Sequence, residues 1–454
     1  MSDLIAAIAT AQAPGAIGVV RLSGSGAIAA ADRIFRAASG ARLVDSAGYR
    51  AHFGQLIDAD GPFDDGIATV FRAPKSYTGE DCVELSCHGG VYLTRRVLRA
   101  AMDCGARLAQ PGEFTRRAFL NGKMSLTSAE SVMERIGAQG ALAARAAQAG
   151  AQDALTRRID AIRANLTDGA AHLTAWADFP DEEVPEVTAA ELTGRLDTAA
   201  AELDRLLDRF EAGRILRSGV ETVILGRPNV GKSTLMNALA GCERSIVTSV
   251  PGTTRDVVEE SVKLGEIVLR LADTAGLRDT DDPVERIGVD RARSRLETAG
   301  LVLAVFDGSA PLDEADRKLL AELAERPAVA VINKGDLPEK IEESEIRAHM
   351  AHTVRLSAAQ QTGVDALADA VADVLGTSAL NPDEGMLFTE RQRQAALRAR
   401  AHVRAAQEAL QAGMTFDAVT ISVEDAIGAL AELTGASVSE AVVDAVFAQF
   451  CVGK

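Results

Sequence analysis

Cysteine is scarce in this chain. Five occur in 454 residues, Cys82, Cys87, Cys104, Cys242 and Cys451, an odd and scattered set with no metal-ligand spacing. That pattern argues against a disulfide scaffold or a zinc module and predicts reduced thiols in a cytoplasmic setting. Long hydrophobic runs are missing too. Nowhere do about 18 apolar residues follow one another, so neither a membrane span nor a membrane partner is expected. The opening MSDLIAAIATAQAPGAIG lacks a basic leader and reads as a strand entering a turn, not as a signal peptide. Positive charge is in deficit: 48 Lys and Arg against 65 Asp and Glu leave −17. Bulk charge therefore opposes non-specific nucleic-acid binding, and any RNA contact must be a local basic patch. There is no internal repeat and no low-complexity tail. What remains is a chain that is 47% hydrophobic, ample for several cores, with a length that suggests about three domains.

The most informative string lies mid-chain. Gly226–Ser233 reads GRPNVGKS and fits G-x-x-x-x-G-K-S/T. It follows the β-rich run Val223-Ile224-Leu225 and precedes the helix-like Leu235-Met236-Asn237-Ala238-Leu239, the strand–loop–helix setting a phosphate loop requires. Asn229, Val230, Gly231, Lys232, Ser233 and Thr234 then line a nucleotide site. Glycines let backbone N–H groups turn onto phosphates, Lys232 reaches the β/γ-phosphates, and the Ser233 hydroxyl ligates Mg²⁺. Further motifs follow in order. Asp273-Thr274-Ala275-Gly276 ends the strand Ile267–Leu271; an acid there holds the metal through water. Asn333-Lys334-Gly335-Asp336 follows the apolar strand Ala328–Ile332 and selects guanine, because the Asp336 carboxylate accepts from N1–H and the 2-amino group. Ser357-Ala358 fits the loop behind the guanine O6. Pro251-Gly252-Thr253-Thr254-Arg255-Asp256 suits a switch whose threonine senses γ-phosphate and Mg²⁺. The ordered set points to a GTPase with GTP as substrate.

One absence matters inside that set. Leu277 follows Gly276, where Ras-like enzymes place a glutamine that orients the attacking water. Either the protein is a slow switch awaiting an external activator, or another residue supplies the base. Glu285, beginning a helix after Pro283 in an acidic stretch, is a candidate.

Pattern divides the chain into a multidomain architecture. Residues 1–119 alternate short β-like runs with helices and predict an N-terminal α+β domain. Residues 120–216, rich in alanine, predict long helices joined near Phe179-Pro180-Asp181-Glu182-Glu183. Residues 217–376 form an α/β P-loop GTPase domain, and residues 377–454 return to the helical pattern. The simplest account is a mostly α-helical domain interrupted by an inserted GTPase, its halves packing together. On its second half, Arg393, Arg400 and Arg404 fall on one helix face, with Arg391 and Arg398 near, a candidate RNA-contacting stripe.

Whole-chain strings resemble the MnmE family of tRNA-modification GTPases. They include Gly18-Val19-Val20-Arg21-Leu22-Ser23-Gly24, Tyr77-Thr78-Gly79-Glu80-Asp81, Cys87-His88-Gly89-Gly90, Pro111-Gly112-Glu113-Phe114-Thr115, Ala118–Lys123, Asp178–Glu182 and the terminal Cys451-Val452-Gly453-Lys454. Two departures stand out: Val452 replaces the usual isoleucine, and Ala16 replaces an arginine frequent in the early turn. The resemblance implies a homodimer formed through a folate-binding N-terminal domain that takes a 5-formyl- or 5,10-methylene-tetrahydrofolate. It implies a heterotetramer with the FAD- and NADH-using partner MnmG, and tRNA as substrate, with an aminomethyl-type group installed on C5 of the wobble uridine. By motif, Arg21, Glu84, Lys123 and Lys454 match the folate-contacting positions. An ordinary ion pair is the plain alternative for Arg21 and Glu84.

The resemblance also bears on Leu277. It implies a K⁺ ion where other GTPases use an arginine finger, with Asn229, Thr248, Val250 and Thr253 as its ligands. Ser233 and Thr254 match the Mg²⁺ positions, Thr248 also lies within the GTP-binding set, and Glu285 matches the acid that orients water, supported by Arg278. A rival class is a ribosome-assembly or translation regulatory GTPase without modifying chemistry. A third is a pure dimerising scaffold, which would have no use for Arg21, Glu84 and Lys123.

Overall fold

The structure, a computed structural model, describes residues 2–178, 188–241, 260–271 and 299–454. It resolves into two compact units, Met1–Met133 with Leu430–Lys454, and Glu134–Ala429.

The first unit is built on seven strands: β1 Ile5–Ile8, β2 Ile17–Ser23, β3 Phe35–Ala37, β4 Arg50–Asp58, β5 Gly61–Phe71, β6 Cys82–His88 and β7 Arg107–Leu108. Their order is β3-β4-β5-β6-β2-β1-β7, antiparallel except where β1 meets β7. Alternation sets the faces. In β6, Val83, Leu85 and Cys87 are buried while Glu84, Ser86 and His88 point the other way. Helices Ala27–Ile34 and Val91–Asp103 cover the apolar face through Ala31, Ile34, Val97 and Ala101. On the uncovered face the register aligns Val19 with Ser86, Ser86 with Ile67, and Ile67 with Phe53. Phe53 is 63% exposed and Ile17 65%, an apolar band with no cover within the unit.

Residues 430–454 belong to this unit because the helix Glu440–Phe447 packs Val443, Phe447 and Phe450 onto Leu126 and Ala129. The two units divide at 133/134 and 429/430, so residues 430–454 join the N-terminal strands and the helices between 134 and 216 and between 377 and 429 fall in the unit of the α/β sheet. Composition reports helix throughout 120–216 and 377–454; it does not report which core each helix joins.

The second unit carries six strands: β8 Val220–Leu225, β9 Glu260–Leu264, β10 Ile267–Leu271, β11 Leu301–Asp307, β12 Ala328–Asn333 and β13 Thr353–Arg355. The order is β13-β12-β11-β8-β10-β9, parallel but for β9. β11 and β12 are continuous apolar runs because both sheet faces are covered. Leu303 and Val305 meet the helices Lys232–Gly241 and Val364–Val374, while Val302, Ala304 and Phe306 meet Glu314–Leu323 and Glu343–His349.

Around this sheet the helices Ala189–Asp208 and Glu390–Gln411 lie together although nearly two hundred positions separate them in sequence. Arg400 and Arg404 both bond Asp204, and Gln407 bonds Asp197. Arg393 pairs with Glu390 and lies over the Phe210 ring. Two arginines of the expected RNA-facing stripe, Arg400 and Arg404, thus also bridge two helices while keeping part of their side chains exposed. Among the described residues, no helix is long and apolar enough to cross a membrane.

Candidate functional site

β8 delivers the chain to Gly226, whose φ of 152° suits glycine, and a Cβ there would meet Val305 O at 2.3 Å. Gly231 has φ 96°, and a Cβ would sit 2.2 Å from Asn333 Nδ2. These two positions leave a cradle that only backbone can line. Between them Asn229 adopts φ 64°, which asparagine tolerates, and Val230 is buried as the loop's anchor. Lys232 opens the helix Lys232–Gly241, with Ser233 and Thr234 in its first turn, so the helix N-terminus and its dipole point at the cradle. Lys232 Nζ donates to Gly226 O at 3.0 Å and Arg227 O at 2.8 Å.

β12 ends at Asn333, which is 2% exposed. Its Nδ2 donates to Val230 O at 2.9 Å and its Oδ1 accepts from Ala358 N at 3.0 Å. Lys334, at φ 63°, reaches Asp307 Oδ2 at 2.6 Å. Asp336 Oδ1 accepts from the Ser357 hydroxyl at 2.6 Å, and Gly335 N donates to Leu356 O at 3.0 Å. The fold thus gathers Asn229–Thr234, Asn333–Asp336 and Ser357–Ala358 around one edge of the sheet. Ser233 and the cradle fit a phosphate-bound Mg²⁺; Asn229 is exposed on the same loop. Thr248, Val250, Thr253, Thr254, Asp273, Thr274, Ala275, Gly276, Leu277, Arg278 and Glu285 lie outside the described residues.

A second cluster forms in the first unit. β2 and β6 place Arg21 opposite Glu84, and Arg21 Nη2 and Nε donate to Glu84 Oε1 at 2.7 and 2.9 Å. The pair alone is the plain ion pair; its surroundings are not. The guanidinium lies 5.4 Å from the Tyr77 ring centroid and 5.6 Å from that of Phe114. Its Nη1 reaches Gly453 O at 3.3 Å, 432 positions away. The tail is held there by Gly112 N donating to Cys451 O and Phe114 N donating to Lys454 O. Gly453 has φ 96°, and a Cβ would meet Ile8 O at 2.5 Å. Lys123 donates to Pro74 O at 3.0 Å and lays its methylenes beside Gly79, on the loop that carries Tyr77. All four residues matched to folate contacts therefore gather round this loop and tail. Tyr77 and Phe114 both sit inside the motif strings; Phe114 is fully buried with Ile5, Ala7 and Ala109, while Tyr77 is only partly covered. A partly exposed aromatic ring beside an ion pair can lie against a flat, polar-edged heterocycle.

Beneath the tail, Glu113 starts the helix Glu113–Leu120 and is 7% exposed. It accepts from Arg107 Nη2 at 2.6 Å, Arg117 Nη2 at 2.9 Å and Gln110 N at 2.9 Å. Burial works to raise its pKa, but these donors outweigh it and hold the carboxyl at about 2. Burial pushes the Cys82 and Cys87 thiols up to about 12 and about 11, so neither is a ready nucleophile.

Comparison with known proteins agrees with this layout. A family model described as MnmE helical domain matches residues 126–451, and one described as GTP-binding protein TrmE N-terminus matches residues 4–123. A tRNA modification GTPase MnmE from Symbiobacterium thermophilum is 45% identical over all of this chain and 99% of its own length. Proteins of the same name from Heliobacterium modesticaldum and Geobacillus kaustophilus are 42% and 41% identical, again over all of this chain and 100% and 99% of theirs. Among solved structures, the G domain of the T. maritima FeoB iron transporter is 27% identical at a TM-score of 0.25, covering 34% of this chain and 98% of its own. The chain belongs to the MnmE family of tRNA modification GTPases.

Proposed function

We propose that the chain couples GTP hydrolysis to installation of a (carboxymethyl)aminomethyl group at C5 of the wobble uridine of certain tRNAs, with a tetrahydrofolate as one-carbon donor and the FAD-dependent MnmG as partner. One observation carries the reading: the same chain holds a guanine-nucleotide cradle in one unit and the Arg21–Glu84–Tyr77–Phe114–tail cluster in the other. A regulatory switch has use for the first alone.

At the folate cluster, Glu84 accepts from the amide-and-amine edge of a pterin, the partly exposed Tyr77 lies beside its ring, and Arg21, Lys123 and Lys454 hold carbonyls or the glutamate tail. A bound tetrahydrofolate supplies the carbon. At the nucleotide site, Lys232 holds the β/γ-phosphates and Asp336 reads guanine. Ser233 and Thr254 would hold Mg²⁺, which would neutralise phosphate charge. Asn229, Thr248, Val250 and Thr253 would hold K⁺, which would supply positive charge to the β/γ oxygens where no arginine finger is supplied. Glu285 orients the attacking water in place of the glutamine that Leu277 lacks, with Arg278 beside it; Asp273–Gly276 meet the metal water and γ-phosphate. The apolar band of Ile17, Ile67 and Phe53 supports a homodimer through the uncovered sheet face.

The test is mass analysis of wobble uridines in a strain deleted for the chain. Modification should vanish, return with the wild type, and fail to return with Lys232→Ala or Glu84→Ala. Normal wobble uridines in the deletion strain would hand the chain to the ribosome-assembly or translation GTPases.

A further inference from the structure

The stretch between β11 and the helix Glu314–Leu323 contains no nucleotide motif, yet both ends of the nucleotide site are fastened to it. On the phosphate side, Arg227 of the phosphate loop donates from Nη1 to Asp313 Oδ2 at 2.6 Å, and its Nε lies 3.2 Å from Asp316 Oδ2. Asp316 is 2% exposed, and its Oδ1 has no hydrogen-bond partner. Asp313 and Asp316 also cap the helix reciprocally, Asp316 N donating to Asp313 Oδ1 at 2.9 Å. The main-chain oxygen of Arg227 accepts from Lys232 Nζ at 2.8 Å. Whatever fixes Arg227 therefore helps to fix the resting place of the ammonium. On the base side, Lys334 bonds Asp307 at 2.6 Å, and Asp307 Oδ1 in turn accepts from Ser309 N at 2.9 Å and Ser309 Oγ at 2.6 Å.

We infer that Asp307–Asp316 is a bracket, with Arg227 and Asp307 as positioning residues that set the phosphate loop and the base-reading loop against one helix start. The inference rests on the guanine-nucleotide reading of the site. A surface ion pair would contribute little, but Asp316 is buried, so removing Arg227 strands a carboxylate inside the fold. Burial already pushes the Asp316 carboxyl up, and its charge depends on the Asp313 N–H and Arg227. On the base side, burial also works to raise Asp307, but the Lys334 and Ser309 bonds outweigh it and hold the carboxyl below its usual range.

Calorimetry on the full chain with GDP and IDP separates the two ends, because only the base-reading loop senses the 2-amino group that inosine lacks. Arg227→Met should weaken GDP about tenfold, the range for a lost charged hydrogen bond, and leave the GDP-to-IDP ratio unchanged. Arg227→Lys should recover part of that loss. Asp307→Asn should narrow the ratio. An Arg227→Met chain with wild-type GDP affinity, or with a changed ratio, overturns the phosphate-side assignment, and an unmoved ratio in Asp307→Asn overturns the base-side one. A wild-type chain that binds neither ligand overturns the guanine reading itself.

Discussion

Glu113→Gln removes one charge from the start of the helix Glu113–Leu120 and keeps the side chain's shape. The Glu113 carboxyl is held at about 2 against an ordinary 4.5, and it is 7% exposed, so solvent screens it little. At about 1.4 kcal/mol for each tenfold step in acidity, that separation corresponds to about 3 kcal/mol of local stability. The sign follows from the direction. A lowered carboxyl stabilises the folded state fully above the ordinary carboxylate range and loses that contribution as pH falls towards about 2. At pH ~3 less than half of it should remain. Hydrogen exchange of the amides in residues 113–120 and 451–454 is the assay, because Gly112 and Phe114 hold the tail through Cys451 O and Lys454 O. The variant should lose about 3 kcal/mol of protection at neutral pH and under half of that at pH ~3. Tetrahydrofolate affinity should fall alongside, since Lys454 and Gly453 lose their seat. Equal protection in the two proteins at neutral pH, or a gap that ignores pH, refutes the reasoning.

Turnover of GTP should rise strongly when Na⁺ is exchanged for K⁺ at constant ionic strength, and Asn229→Ala should flatten that response; equal wild-type rates in both salts reject the K⁺ site. Glu285→Ala should lower kcat by roughly 10²–10⁴-fold, the range for a positioned acid–base group, with GTP affinity nearly intact; normal turnover returns the role to another residue or to the slow-switch alternative. Asp336→Asn should lose GTP and gain XTP in competition binding, because its new amide donor clashes with two guanine donors but meets the xanthine carbonyl; a retained GTP preference would show that Asp336 does not read the base.

The nucleotide site was legible because its chemistry is local. The phosphate loop and the Asn333–Asp336 loop each follow an apolar strand, and parallel topology brings those strand ends to one edge. Val223-Ile224-Leu225 and Ala328–Ile332 became β8 and β12 as their composition required. The folate-matched cluster was legible only through resemblance. Nothing in periodicity brings Gly453 to Arg21 or puts the Tyr77 and Phe114 rings beside the guanidinium. Those contacts depend on Phe447 and Phe450 docking on Leu126 and Ala129, a pairing that sequence distance hides. The arginine helix shows the opposite failure. Spacing placed Arg400 and Arg404 on one face correctly, but a helical wheel cannot say that Asp204 faces them. Charge along a helix is visible in sequence; its neutralisation from another helix is not.

Asn333 explains why the phosphate and base ends of the site come as a single piece. Its one amide is spent in both directions, donating to Val230 in the phosphate loop and accepting from Ala358 behind the base. At 2% exposure there is no water to replace either bond. A shorter or apolar side chain would leave two buried backbone groups unpaired, at about 1–3 kcal/mol each. Gly231 enforces the same closeness from the other side, since any Cβ would collide with that amide. Guanine recognition and phosphate binding are thus joined through backbone and a single buried side chain. Losing the Asn333 side chain should therefore loosen both loops together, while the sheet between them stays in place.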